Sequence, residues 1–242
     1  MMDEKRAKEI VDYTFKDIFG RVNPFTLDQI REKFAFDIPL PFKVKDTVTG
    51  KDAWIVKSIG KKVRVWEEWG ALESKGDGMV QKEKIRDIDD LLEKFDNIFY
   101  NVADKAWEAK DYAATDNIYL ANDIYYSYKV IRSQSSAFSA EILDSKYLVA
   151  CYYTDSSTAA IRAMDSSFCT SSFGISWSGK ISKCMYLSNC KDMYECMFCA
   201  NLHSRKYCIA NMQFTKEEYM PIKEMVIDWT IENFKKGKSL GV

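Results

Sequence analysis

A six-residue period runs through the middle of the chain and restricts its fold more than any other sequence feature. Every sixth residue from 118 to 214 is small or apolar, and none of these residues is charged. They are Ile118, Ile124, Val130, Ser136, Ile142, Leu148, Thr154, Ala160, Ser166, Ser172, Ser178, Cys184, Cys190, Cys196, Leu202, Cys208 and Phe214. An α-helix repeats near 3.6 residues and a β-strand repeats at two, so neither element sustains a period of six.

A second column, three residues further on, supports the first. Its first nine members are small, and the column becomes larger before it ends at Arg205. The small members are Ala121, Ser127, Ser133, Ser139, Ser145, Cys151, Ser157, Ala163 and Cys169, and Ile175, Ile181, Leu187, Met193 and Cys199 follow. Together the columns predict a parallel β-solenoid, in which the same inward position recurs in every coil. Three six-residue units per coil would give about five coils.

The pairing of an aliphatic inward residue with a small residue three places on resembles the hexapeptide repeat of left-handed β-helix proteins. The resemblance covers about residues 117–214. The stretch from Cys184 to Tyr219 also resembles uncharacterised Cys-rich hexad-repeat proteins of bacterial and phage genomes. The segments that carry this resemblance are Asn201-Leu202 and residues 206–211, followed by residues 215–219. Both resemblances imply a β-helix. Tyr119, Tyr125 and Ile131 replace the glycines and small acidic residues common in the hexapeptide family, which leaves the hand of the coil open.

The composition changes near residue 111. Residues 1–111 contain 21 Lys or Arg and 23 Asp or Glu, whereas residues 112–214 contain 9 and 8, together with all seven cysteines. A change of this size predicts three parts. We expect an α+β N-terminal domain in 1–111, a β-solenoid of six-residue repeats in 112–214 and a C-terminal capping helix in 215–242.

Local patterns predict the elements outside the repeat. Helical spacing favours helices over 3–19, from Thr26 onward, and over 87–110. Residues 43–56 predict a hairpin around Thr49-Gly50, and 62–69 predict a further strand. Thr215 and Glu218 have the spacing of a capping box at the start of the last helix. Because repeat arrays need caps at both ends, we expect the first domain and this helix to supply them.

The charge balance and the cysteine content limit the partners and the compartment. Lys plus Arg is 35 and Asp plus Glu is 36, for a net charge of −1, which argues against nucleic acid or an anionic membrane as the main partner. The sequence contains no apolar run long enough for a transmembrane helix and predicts no signal peptide. An odd number of cysteines predicts free thiols. We therefore expect a cytoplasmic protein or one incorporated in a virion.

A zinc site is the alternative interpretation of the last cysteines. Cys196, Cys199, His203 and Cys208 supply four potential zinc ligands within 13 residues. The inward column explains Cys196 and Cys208 without a metal, because they continue the column that contains Cys184 and Cys190. We therefore assign no metal ligand and expect buried thiols.

An acyltransferase is the alternative implied by the hexapeptide resemblance. Many enzymes of that family are trimeric acyltransferases that use a histidine as the general base. The chain has one histidine, His203, so this residue would have to serve. The favoured interpretation of this residue is an ordinary surface histidine beside Arg205 and Lys206.

Tyrosines are dense in the first half of the repeat, at Tyr125, Tyr126, Tyr128, Tyr147, Tyr152 and Tyr153. An exposed aromatic ladder would form a recognition surface, and the other interpretation is packing along a face of the solenoid or against the first domain.

These patterns favour a non-enzymatic role. No catalytic residue, cofactor site or metal site is assigned, since neither serine-hydrolase nor phosphate-binding motifs are present. We expect a structural or protein-interaction component of a larger assembly, such as a phage particle, with protein partners or self-association. The alternative is a trimeric hexapeptide-repeat acyltransferase that uses His203.

Overall fold

The structure of the chain, a computed structural model, describes residues 2–58, 61–67 and 79–237, without the side chains of 147, 148, 152, 153, 155 and 164–168. Its helices are α1 (Glu4–Phe19), α2 (Leu27–Phe34), α3 (Ile88–Ile98) and α4 (Lys216–Lys235). The described residues therefore show helices at the N-terminus, then stacked parallel strands, then a C-terminal helix, as the sequence predicts.

Each of the predicted helix boundaries has a local cause. The side chain of Asp3 accepts a backbone N–H of the first turn of α1, and Gly20 ends this helix in the left-handed region at φ 64°. Thr26 begins α2 with a capping box. The predicted capping box of Thr215 and Glu218 is confirmed at the start of α4.

Two short sheets lie between α2 and the solenoid. Strands β1 (Phe42–Lys45) and β2 (Asp52–Ile55) form the predicted antiparallel hairpin. Strand β3 (Val63–Val65) pairs in parallel with β4 (Asn101–Ala103). The apolar cluster that joins these strands consists of Ala53, Ile55, Val63, Val65 and Ala103. The predicted strand over 62–69 thus corresponds to β3, and its last two residues lie outside the described ranges.

The solenoid consists mostly of short parallel strands, in which a residue pairs with the residue twelve positions further along. One strand of 37 residues continues through about three coils, and the last two strands pair antiparallel. The strands are β5 (Ala106–Trp107), β6 (Lys110–Ala113), β7 (Asp116–Tyr119), β8 (Asn122–Tyr125), β9 (Tyr128–Ile131), β10 (Gln134–Ala137), β11 (Ala140–Ser176), β12 (Gly179–Ser182), β13 (Met185–Ser188), β14 (Lys191–Tyr194), β15 (Met197–Ala200), β16 (His203–Lys206), β17 (Cys208–Ile209) and β18 (Met212–Gln213). Typical registers are Ile118 with Val130 and Leu187 with Cys199. A coil therefore contains two six-residue units, and the prediction of three units and about five coils is wrong, because the array has about eight turns.

A left-handed backbone conformation recurs at every third described residue through the array. Asn117, Leu120, Asp123 and Tyr126, for example, have φ between 48° and 65°, and each immediately precedes an inward residue. A single left-handed residue bends an extended chain sharply, so we infer that a coil of twelve residues has four corners and four sides. The six-residue period of the sequence is twice this three-residue unit.

The interior is filled by one side chain from each side of each coil. Both predicted columns are buried wherever their side chains are described, from Ile118 to Cys199, and the second column leaves the interior at the exposed Arg205. Two apolar clusters result, one around Ile124 and Val130 and the other around Cys184 and Leu187.

Several inward serines and one inward cysteine make the same two hydrogen bonds. The hydroxyl of Ser178 donates to the carbonyl of Ser176 at 2.8 Å and accepts the N–H of Cys190 in the next coil at 3.0 Å. The Cys196 thiol likewise donates to the Tyr194 carbonyl and accepts the N–H of Cys208, twelve residues on, at 3.4 Å. A serine and a cysteine can therefore bridge adjacent coils in the same way.

Helices α1, α2 and α4 cover one side of the solenoid rather than its ends. One apolar core contains the inner faces of these helices and the outward residues of that side. Phe173 lies at its centre, where its ring contacts Phe19 of α1, Phe34 of α2 and Phe234 of α4. The predicted C-terminal helix thus lies along the stack of coils. The division at residues 111 and 214 stays a prediction.

One predicted helix is too long. The apolar spacing favours a helix over 87–110, but α3 ends at Ile98, and β4, β5 and β6 follow. The reason is that inward residues recur every three positions in the solenoid, which imitates the i, i+3 spacing of a helix. Ala106 and Ala109 already belong to the interior of the array.

Candidate functional site

The side of the solenoid opposite the helices carries an exposed apolar ladder. Trp107 and Tyr119 occupy equivalent positions in adjacent coils, and their side chains are 55% and 42% exposed. Ile131 and Leu143 continue the column. The corner residue Leu120 beside them is 40% exposed. Adjacent coils lie about 4.8 Å apart, so the ladder is about 14 Å long. Exposed apolar side chains in such a row form a candidate contact surface.

An open groove of about 690 Å³ runs along the next side of the coil. One wall is an outward column at twelve-residue spacing, and the other wall is a corner column that contains Glu108, Arg132 and Asp144. The outward column consists of Lys110, Asn122, Gln134, Lys146, Thr158 and Thr170, all of them exposed. The groove therefore offers one polar group in each of six successive coils.

Some charged side chains of the groove form ion pairs within the chain, and others do not. Arg132 forms a two-atom ion pair with Asp144, twelve residues away, with N–O distances of 3.0 and 3.2 Å. Among the residues that the structure describes, neither Lys110 nor Lys146 forms an ion pair. The exposed carboxylate of Glu108 lies in the same wall as Arg132. A ligand would therefore meet two lysines and one carboxylate here, besides the neutral polar groups of the outward column.

The second exposed apolar surface is one face of α3. Its members are spaced at i, i+3, i+4 and i+7, and each is between 43% and 69% exposed. They are Ile88, Leu91, Leu92, Phe95 and Ile98. In this helix only Asp90 is buried. Hydrophobic residues this exposed at helical spacing indicate a contact surface.

The predicted tyrosine ladder does not form a free surface where it is described. The ring of Tyr126 packs against the rings of Trp54 and Phe138, with ring centroids 5.2 and 5.9 Å apart. The guanidinium of Arg31 lies over the same ring. Tyr125 and Tyr128 pack against the same core. For these three the packing interpretation is favoured, whereas the side chains of Tyr147, Tyr152 and Tyr153 lie outside the described residues.

The four residues of the alternative zinc site do not converge. Cys196, Cys199 and Cys208 point into the solenoid and are at most 2% exposed, whereas His203 lies in β16 at an exposed position. Burial raises the pKa of Cys208 to about 11, whereas the hydrogen bond with Cys184 lowers the pKa of Cys196 to about 7, so it is the placement of the four groups that argues against zinc. Among the described residues, no group of three or more His, Cys, Asp or Glu side chains could hold a metal ion. All seven cysteines are buried and lie outside disulfide bonds.

His203, the base of the alternative acyltransferase, lies far along the stack from the groove. The groove ends at Thr170, almost three coils before His203. The neighbours of His203 in its strand, Ser204, Arg205 and Lys206, are exposed as well.

Two carboxylates lie where the short sheets meet the first coil. Asp104 accepts the N–H of Trp54 at 2.7 Å, and burial raises the pKa of Asp104 to about 6. Burial also raises the pKa of Asp116, which accepts the N–H groups of Lys105 and Val56 at 3.3 and 3.4 Å. These bonds join β2 to the array, so the pair has a structural role in closing its first end.

Comparison of the chain with protein-family models, with curated proteins and with solved structures found no match. Among the described helices, none is long and apolar enough to cross a membrane. The fold and the exposed surfaces therefore carry the functional argument.

Sequence reasoning missed the groove, although a signal for it was present. Aligned at twelve residues rather than six, the chain shows the column from Lys110 to Thr170. The same spacing brings Arg132 to Asp144 and Lys129 to Glu141. Side-chain pairs at a constant separation of twelve are the feature that identifies the coil length.

Proposed function

We propose that the chain is a non-enzymatic structural and protein-interaction component of a larger assembly, such as a phage particle, and that it self-associates through α3. The observation that carries this proposal is the exposed apolar face of α3 together with the charges around it. The cytoplasm or a virion is the proposed location.

The apolar face has the dimensions of a small helix-pairing surface. Eleven residues at about 1.5 Å each make α3 about 16 Å long. Two copies of such a face can meet as an isologous pair, in which each surface is its own partner. A contact of this size is smaller than a standard interface of about 800 Å² per partner, so we expect a reversible dimer.

The charges next to the face complement each other when two copies are antiparallel. The exposed Lys82 and Lys84 precede the helix, and the exposed Glu93 and Asp96 lie near its end. An antiparallel arrangement brings the basic segment of one copy to the acidic end of the other, and charge complementarity of this kind selects the orientation.

Other charges of this region are already paired within the chain. Arg86 pairs with Asp90 at 2.9 Å, and Lys94 pairs with Glu83 at 2.8 Å. These pairs fix the segment before α3 against the helix, so the two lysines are presented from a defined backbone.

The solenoid supplies the stiffness that a structural component needs. About eight coils at about 4.8 Å give a stack about 38 Å long. Each coil contacts only its neighbours, and α1, α2 and α4 fix the stack along one side.

A charge-swap experiment tests the proposal. One variant carries Lys82→Glu and Lys84→Glu, and the second carries Glu93→Lys and Asp96→Lys. In sedimentation velocity over a wide range of concentration, we expect the unmodified chain to dimerise and each variant alone to be monomeric. An equimolar mixture of the two variants should dimerise again, because each basic segment then faces an acidic one.

The matched control is the double variant Lys180→Glu and Lys191→Glu, which changes exposed lysines of the solenoid by the same amount. It should dimerise as the unmodified chain does. A chain that is monomeric at every concentration, or two variants whose mixture stays monomeric, would show that α3 is not the self-association surface.

A further inference from the structure

We infer that the groove between Glu108 and Thr170 binds an acidic oligosaccharide in an extended conformation, lying along the stack of coils. This inference concerns a different surface from α3 and does not depend on self-association.

The first reason is the match between the groove and a hydroxyl-rich chain. Asn122 and Gln134 each present an amide donor and an amide acceptor, and Thr158 and Thr170 each present a hydroxyl that can do both. These groups recur at about 4.8 Å in register, because each belongs to the same position of successive coils. A polymer with hydroxyl groups on every unit can satisfy such a row, whereas an apolar ligand cannot.

The second reason is charge. Asp144 neutralises Arg132, and the remaining charged groups are Glu108, Lys110 and Lys146, so the groove has a net charge of +1. The two lysines lie three coils and about 14 Å apart. Two cations at this separation fit carboxylates carried at intervals along one ligand chain. Two lysines are too few to hold a nucleic acid by its phosphates, because such binding usually involves about six to ten phosphate contacts.

The third reason is the aromatic edge beside the groove. Trp107 and Tyr119 are exposed on the adjoining side, and the exposed Leu120 lies between them and the groove. Such faces can pack against the apolar face of a sugar ring whose hydroxyls point into the groove.

A peptide ligand fits this surface less well. An extended peptide gains its affinity by adding a strand to an unpaired sheet edge. The groove has no such edge, since the backbone of its wall is already bonded from coil to coil, for example from the N–H of Asn122 to the carbonyl of Ser133 and from Lys110 to Ala121.

Isothermal titration with a panel of acidic oligosaccharides tests the inference. The panel contains oligogalacturonate, alginate and hyaluronate fragments, and the neutral comparison is methyl-esterified oligogalacturonate of the same length. We expect at least one acidic member to bind, the neutral one to bind at least tenfold more weakly, and the affinity to fall as salt is added.

Lys146→Ala and Gln134→Ala should each weaken binding, the lysine variant by about tenfold. The control Lys206→Ala removes a lysine of the same outward column beyond the groove and should leave affinity unchanged. The Lys82→Glu and Lys84→Glu variant should bind as the unmodified chain does.

Three results would overturn the inference. One is that no acidic member of the panel binds. The second is that binding is unaffected by Lys146→Ala. The third is that polyglutamate or single-stranded DNA binds as tightly as the best oligosaccharide, since that would show a surface that responds to negative charge alone.

Discussion

Replacement of Ser178 tests whether serine and cysteine really bridge the coils. In Ser178→Ala the N–H of Cys190 loses its acceptor inside the solenoid, since the hydroxyl 3.0 Å away is removed. An unsatisfied buried donor costs about 1–3 kcal/mol, so the free energy of unfolding should fall by about that amount. Ser178→Cys should retain most of the stability, because the equivalent position in the next coil is Cys190 and the interior there already accommodates sulfur.

Urea unfolding followed by far-UV circular dichroism measures the effect through the midpoint at constant slope. For a chain of this size, 1 kcal/mol also corresponds to about 2–4 °C in Tm. The control is Ser182→Ala, an outward serine of β12, which should change stability by less than about 0.5 kcal/mol. Equal effects of alanine at 178 and 182, or a cysteine variant as unstable as the alanine variant, would refute the bridging role.

Three further predictions concern corners, pH and thiols. Ala114 lies at a corner with φ 54°, so Ala114→Gly should raise the free energy of unfolding, measured in urea, by about 0.5–1 kcal/mol. Ala113→Gly in β6 should lower this free energy. Changes of the same sign in both variants would contradict the left-handed corner. The pKa of Asp104 is about 6 in the folded chain and 3.8 for the free residue, so between these pH values the folded state binds more protons than the unfolded state. The stability that Asp104 contributes is therefore present at low pH and is lost as pH rises through about 6. Thermal unfolding from pH 4.5 to 7 should therefore show the unmodified chain losing stability relative to Asp104→Asn, and parallel profiles would contradict this. All seven thiols should react with Ellman's reagent only as fast as the chain unfolds, and a thiol that reacts at once in the folded chain would contradict its burial.

The solenoid could be predicted from the sequence because its interior has a fixed chemical pattern. Inward residues such as Ile118, Ala121 and Ile124 must be small or apolar in every coil, so the same pattern recurs along the sequence. The helix boundaries were predictable for a similar reason, since Gly20 and Thr215 act through their own backbone and side-chain hydrogen bonds.

The number of residues in a coil could not be predicted from that pattern. Any multiple of three residues keeps the inward positions in phase, so coils of twelve, fifteen and eighteen give the same columns. The positions of the corners determine the number of residues in a coil. Several corners are occupied by residues such as Leu120, Tyr126 and Phe138, which rarely adopt a positive φ, so the sequence does not reveal them. Only Asn and Asp at corners, such as Asn117 and Asp123, favour this conformation by themselves.

The groove and the face of α3 were harder to predict because they depend on what the helices cover. The tyrosines at 125 and 126 and the tryptophan at 107 occupy outward positions of the same array, but only the last faces away from α1, α2 and α4. Exposure is decided by tertiary packing over long separations, and no local pattern of the chain records it.

The corners also explain why one side of the array must be covered. A left-handed residue that is neither Gly, Asn nor Asp costs about 1–2 kcal/mol, and a coil contains up to four of them. Hydrogen bonds between coils and the filled interior offset this cost along the stack, but every coil depends on its neighbours. The rings of Phe19, Phe34 and Phe234 around Phe173 fix coils from the middle of the array to three separate helices. Because the helices stabilise the stack from a single side, the ladder and the groove can remain open to partners without loss of rigidity.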